Sequence, residues 1–238
     1  MFKVNCFVGL FMLNIRKKFT RMLNKVDVTG LETITPVSRV FGFDRGMPID
    51  RYYVEKFLSL NRNYITGNIL EIGDSTYSRK FAIQPSIFHV MTKDIPPKGE
   101  TVVSGDLTCS DSLPNETIDC FICTQTLNFI YDVEKAIRGC YKILAPGGVL
   151  LATVSGLSQI SRYDMERWGD YWRFTDLSIR RLFESVFEKE KIEIISFANI
   201  ATVIAELQGL SLEDLPNPEI LDKYDADYPL TIGILAKK

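Results

Sequence analysis

Five short apolar runs, at 68–72, 87–91, 101–103, 118–123 and 149–154, alternate with helical stretches at 50–60, 77–81 and 133–144, and this alternation constrains the fold more than any other feature of the chain. Runs this short and this apolar read as strands buried on both faces, the pattern of a parallel sheet whose crossovers are helices. Asp50 is placed to cap the first helix, and Pro146-Gly147-Gly148 to stop the third. A helix at 177–187, a strand at 192–197, a helix at 201–207 and a strand at 230–236 complete the pattern. The sequence therefore predicts an α/β fold: a doubly wound, mostly parallel seven-stranded sheet with helices on both faces.

A chain of 238 residues suits one such domain. Its charge is uneven. Residues 1–26 hold Lys3, Arg16, Lys17, Lys18, Arg21 and Lys25 and no acid, which leaves −8 for the rest of a chain whose net charge is −2. An acidic body lacks the clustered positive charge that a nucleic-acid surface needs, so no nucleic-acid partner is expected. In the basic stretch, Val8, Phe11, Ile15, Phe19, Met22 and Val26 recur at helical spacing. We expect an N-terminal basic amphipathic segment over 1–38 ahead of a domain over 39–238. It reads first as a helix docked on its own domain, and second as a candidate for peripheral membrane contact through residues 1–26. The apolar part is too short to cross a bilayer, and most charges follow it instead of preceding it as in a secretory signal. A cytoplasmic location, with this membrane-surface option, is the expectation.

Cys6, Cys109, Cys120, Cys123 and Cys140 form an odd set without framework spacing. Cys120 and Cys123 sit inside a strand run, where positions three apart point to opposite faces, so buried structural thiols in a reducing compartment are expected. His89 is the single histidine. Zinc catalysis and a Ser-His-Asp triad are both disfavoured, and no metal is expected.

Ligands of an open α/β sheet bind beyond the carboxyl ends of the strands, where strand order reverses. At those ends stand Glu71, Gly73 and Asp74, then Asp94 about twenty residues on, then Gly105-Asp106-Leu107, then Thr124 and Gln125. An acid at the position of Asp94 commonly accepts ribose hydroxyls. In this order of motifs the chain resembles the class I S-adenosylmethionine-dependent methyltransferases over roughly residues 40–238. Within them it is most similar to a subgroup found among bacterial cell-surface polysaccharide genes. Phe43-Asp44-Arg45-Gly46 through Asp50-Arg51-Tyr52-Tyr53 carries that second likeness, as does Ser161-Arg-Tyr-Asp-Met-Glu-Arg-Trp-Gly-Asp-Tyr-Trp-Arg-Phe-Thr175.

The resemblance implies S-adenosylmethionine as cofactor. Glu71 and Gly73 would shape the methionine-side turn, Asp94 would take the ribose hydroxyls, and Asp106 the adenine amino group with Leu107 against the ring. Thr124 and Gln125 would contact the methionine moiety. Ser75 and Tyr77 stand where the family has glycines, which narrows what the turn can do.

Methyl transfer to a hydroxyl needs alignment and a base. Asp164, Glu166, Asp170 and Tyr171 are candidates after the fifth strand, with Arg162, Arg167 and Arg173 to hold an anionic group and Trp168 and Trp172 to stack on a sugar. Core anchoring is the plainer reading of Tyr171, Trp172 and Phe174. Tyr52, Tyr53, Arg45 and Arg51 are expected to cover the site. The reading is O-methylation of a glycan or lipid-linked sugar. The alternative is a catalytically inactive methyltransferase fold used for binding or scaffolding, since fold alone does not set function. An oxidoreductase is disfavoured, because the Gly-x-Gly-x-x-Gly turn and the Tyr-x-x-x-Lys pattern are missing.

Overall fold

The computed structural model describes residues 33–92, 99 and 101–238. The chain divides into two units, Met1–Pro36 and Val37–Lys238, and the larger holds the whole sheet. The basic helix expected within 1–26 and the acid expected at Asp94 lie outside the described residues.

Seven strands form one sheet: β1 Gly67–Ile72, β2 Ser86–Met91, β3 Thr101–Val102, β4 Ile118–Thr124, β5 Leu144–Ser155, β6 Ile192–Phe197 and β7 Thr231–Lys237. Their order is β3-β2-β1-β4-β5-β7-β6. β7 runs antiparallel to both of its neighbours, while β1 to β5 pair in parallel. This is the doubly wound seven-stranded arrangement that the alternation predicts.

Period-two alternation sorts the strand residues into two cores. Leu70, Phe121, Cys123, Leu150, Ala152, Val154, Ile232 and Ile234 face one side, under α3 (Val133–Ile143) and α5 (Asp176–Glu184). Ile69, Cys120, Ile122, Val149, Leu151 and Leu235 face the other, under α1 (Ile49–Leu60), α2 (Thr76–Phe81) and α6 (Ile200–Gln208). Cys120 and Cys123 are thus buried on opposite faces. A short helix, α4 (Arg162–Arg167), follows β5 and was not foreseen.

Local chemistry accounts for the helix ends. Thr175 and Ser178 form a capping box on α5, and Asn199 and Thr202 another on α6, which Gly209 closes at φ +70. α1 departs from the expectation. Pro48 holds the N-cap with its ring-fixed φ of −58 and offers no side-chain acceptor, so Asp50 falls inside the first turn. Pro146-Gly147-Gly148 lies within β5 instead of before it. Leu144 already pairs with Ile118, and the register shifts before Cys120 meets Val149, so the turn residues make a bulge.

Gly139 fixes how α3 seats. A Cβ there would stand 2.1 Å from the carbonyl oxygen of Leu107, so the helix lies directly on the backbone that follows β3. Gly139→Ala is expected to destabilise the protein by about 1–3 kcal/mol. For a domain of this size that lowers the melting temperature by roughly 3–10 °C, measurable by thermal denaturation.

Candidate cofactor and acceptor site

Strand order reverses between β1 and β4, and the crevice beyond their carboxyl ends is where this topology places a ligand. β1 delivers Glu71 and Gly73 to it. Glu71 is buried, and its carboxylate accepts the backbone N–H groups of Tyr77 at 3.0 Å and Ser78 at 2.7 Å, capping α2 from the preceding strand. Burial pushes its pKa up to about 7, against the pull of those N–H groups. Gly73 holds φ +89, and a Cβ there would meet nothing within 4 Å, so open space lies before this turn. Ser75 is buried, and its hydroxyl accepts the Nε–H of Arg79 at 2.7 Å.

After β3, the Oδ1 of Asp106 accepts the backbone N–H and the hydroxyl of Thr108, both at 2.8 Å, in an Asx turn at an exposed position. Leu107 beside it is buried in the core with Leu113. β4 ends at Thr124, and Gln125 then takes a left-handed φ of +46, a strained conformation for a residue with a side chain. Its N–H donates to the Thr153 carbonyl at 2.8 Å. Its Oε1 accepts the Ser155 hydroxyl at 2.8 Å and the Asn128 amide at 3.3 Å. The Nε2 of Gln125 is buried with no hydrogen-bond partner. An unpaired buried donor costs about 1–3 kcal/mol, so an acceptor supplied by a ligand would stabilise this amide.

The segment after β5 forms the rim. Asp170, whose side chain is fully buried, meets Arg173 at 2.6 and 2.9 Å and accepts the Ser161 N–H at 2.9 Å. Arg173 also donates to the carbonyls of Ser158 and Gln159. Asp164 accepts the Ser161 hydroxyl at 2.5 Å and the Trp168 indole N–H at 3.1 Å. These acids and Arg173 therefore hold the segment in shape. Arg167 lies over the Tyr163 ring, and Arg162 points to Met165.

Tyr171 is 50% and Trp172 38% exposed, and Tyr131 at 71% packs against both rings, at 5.5 and 5.9 Å. Three aromatics thus form one open ledge. Asn128 joins the ledge to the crevice. Its carbonyl accepts the N–H groups of Tyr171 and Trp172, and its side chain accepts the Ser155 N–H at 3.2 Å. Sequence reasoning missed Asn128, Ser155 and Tyr131. A polar residue between Leu127 and Phe129 was the available signal for Asn128. Of the residues expected to cover the site, Arg45 pairs with Asp214, Tyr52 donates to Asp222, and Tyr53 is buried against Phe197. A separate cleft of about 710 Å³ lies along β2, lined by His89, Asn68, Ser112 and Leu113 among others, and contains none of the predicted site residues.

Residues 77–152 match the family model of a methyltransferase domain. No curated protein matches the sequence significantly. Among solved structures, an S-adenosylmethionine-dependent methyltransferase from Archaeoglobus fulgidus superposes with a TM-score of 0.50 at 16% identity, covering 79% of this chain and 94% of its own. The cyclase SpnF gives a TM-score of 0.50 at 16% identity, covering 85% and 88%. Residues 77–152 thus resemble a methyltransferase domain, and the chain has the fold of the class I S-adenosylmethionine-dependent methyltransferases. S-adenosylmethionine is the cofactor of that class, and the residues here fit it. Gly73 leaves open space at the strand end, and Gln125 offers an unpaired amide that a carboxylate can take.

Two outcomes test this geometry. Gln125→Ala is expected to weaken S-adenosylhomocysteine binding about tenfold in calorimetry, the loss of roughly one charge-assisted hydrogen bond. Arg173→Ala strands the buried Asp170 carboxylate and should cost about 3 kcal/mol in denaturant unfolding.

Proposed function

We propose that this protein is an S-adenosylmethionine-dependent O-methyltransferase of a glycan or lipid-linked sugar. The observation that carries the reading is the Gln125 turn. One strained, hydrogen-bonded turn offers an unpaired buried amide to a cofactor and, through Asn128, fixes the aromatic ledge beside it. When bound, the cofactor supplies an electrophilic methyl group on a sulfonium.

The chain's own residues supply position. Gly73 and Gln125 hold the methionine end, and Asp106 is the acceptor for the adenine amino group, with Leu107 in the wall. Thr124, Glu71 and Asp94 complete the set. Trp172 and Tyr171, with Tyr131, offer flat apolar faces suited to stacking a sugar ring. Asp164 and Asp170 have their oxygens engaged, which leaves the half-exposed Tyr171 hydroxyl to orient the acceptor and the exposed Glu166 carboxylate to take its proton. The similarity to SpnF warns that this fold also serves other reactions, so the ledge and not the fold carries the acceptor assignment.

Calorimetric titration with S-adenosylmethionine and S-adenosylhomocysteine tests the cofactor. Binding on the order of micromolar, lost in Asp106→Ala, is the expected result. No binding at millimolar ligand would favour a scaffolding protein. Transfer of radiolabelled methyl to glycan acceptors then tests the ledge. Trp172→Ala should lower transfer at least tenfold while leaving cofactor affinity within twofold, the pattern of a residue that binds acceptor only.

A further inference from the structure

An exposed apolar strip borders the rim. Val40 and Phe43 stand on the loop that enters α1, and Leu157, Ile160 and Tyr163 on the segment after β5, each between 44% and 61% exposed. The Gln159 amide donates to the Arg39 carbonyl at 3.3 Å, which joins the two segments. Arg173 donates to the carbonyls of Ser158, Gln159 and Trp172, which ties the strip to the aromatic ledge.

Both segments are held in shape. In the loop, the Ser38 hydroxyl donates to Asp44 at 2.6 Å, and the N–H groups of Phe43, Arg45 and Gly46 donate to the carbonyls of Val40 and Gly42. Gly42, at φ +78, lies so close to the Leu210 carbonyl that a Cβ would come within 2.8 Å of it. In the second segment, Ser161 and Trp168 both hydrogen-bond to Asp164 and turn one side of α4 inward. Tyr163 and Arg167, four residues apart, share the outward side. A fixed backbone thus keeps apolar side chains in water, and a covering layer recovers that free energy.

The charges beside the strip select the covering. Arg39, Arg51, Arg162 and Arg167 are exposed there, against the exposed acids Asp44 and Glu166. Arg45 is paired with Asp214, while Asp164 and Asp170 are engaged inside the rim. The strip is therefore cationic on a chain whose net charge is negative. Arg51 lies 4.8 Å from the centroid of the Phe43 ring, and Arg167 3.4 Å from that of Tyr163. A ring with a guanidinium folded over it suits the headgroup boundary of a bilayer, where the ring enters the apolar layer and the cation meets phosphate. A second copy of the chain, in a two-fold contact, would set these cations against themselves.

We propose that this strip is a membrane-docking surface for anionic lipid and that it sets the aromatic ledge at the bilayer surface. In one respect it rests on the methyltransferase reading, since of the two acceptor classes it selects the lipid-linked sugar. The docking itself needs no cofactor.

Tryptophan fluorescence reads the rim alone, because Trp168 and Trp172 are the chain's two tryptophans. Residues 1–26 contain none, so a lipid contact confined to them leaves this signal unquenched. The full chain is titrated with vesicles of phosphatidylcholine and about one third phosphatidylglycerol, brominated on the acyl chains. Quenching is expected, with about tenfold weaker lipid affinity when the vesicles are phosphatidylcholine alone. Arg39→Glu, and separately the combined Val40→Ser, Phe43→Ser and Ile160→Ser, should each weaken the affinity about tenfold. All four side chains are exposed, and an unchanged melting temperature checks that the variants fold. Absence of quenching, with or without sedimentation on the vesicles, overturns the proposal. So does quenching that both variants leave unchanged. Self-association without lipid, abolished by the triple variant, would give the strip to a second copy and overturn it as well. S-adenosylhomocysteine binding is read separately by calorimetry, and its absence sinks the methyltransferase reading while the docking result stands.

Discussion

The carboxyl ends of β4 and β5 are joined at one turn, and the geometry of the site hangs on that junction. Parallel strands leave their carboxyl ends without a hairpin to tie them, so the connection must come from side chains and loop backbone. Asn128 makes it three ways. Its amide reaches Gln125, its carbonyl oxygen on the side chain takes the Ser155 N–H, and its backbone carbonyl takes two N–H groups of the rim. Being 1% exposed, it has no competing water, and each bond keeps more of its strength than at the surface. The strained φ of Gln125 is sustained by this same set of bonds, which is how a fold holds a costly conformation.

The sheet was legible because its signal is collective. Each strand run is too short to decide alone, yet seven in sequence, separated by helices, leave one architecture. The late antiparallel insertion of β7 between β5 and β6 follows from two strands arriving after the parallel set, but their spatial order has no local sequence signature. Boundaries failed where two local preferences competed. At Pro48 and Asp50, a residue with fixed φ took the N-cap from a better capping side chain. At Pro146 to Gly148, backbone pairing continued through residues that usually end it, because a bulge absorbs them.

The site was legible in part, for a different reason. Glycines and polar residues at strand ends can be recognised one by one, so Gly73, Asp106 and Gln125 stand out as candidates in the sequence. What each side chain is bonded to depends on partners far away in sequence. Asp170 reads as a candidate base until Arg173 and Ser161 are seen around it. Tyr131 lies some forty residues before the aromatics it packs against, and only the fold brings the three rings together. Glu206 reads as one more helical acid, and its burial without a partner is invisible in the chain.

The acids of this protein divide by what compensates them, and the division bears on the chemistry. Asp170 and Asp214 each face a guanidinium, and Asp222 an ammonium, so these groups are ionised and committed. Glu71 is compensated by hydrogen bonds from Tyr77 and Ser78 and by no cation among the described residues, and burial raises it to about 7, which lets it change charge near neutrality at the end of β1. Glu206 is buried with neither carboxylate oxygen hydrogen-bonded. A base for an acceptor hydroxyl has to be both reachable and uncommitted. The ion-paired acids fail the second condition, and the buried Glu206 fails the first. On this argument proton removal falls to the exposed carboxylate of Glu166, or to a group the acceptor itself brings. The rim then acts mainly by orientation, which is the larger part of what a donor as activated as a sulfonium requires.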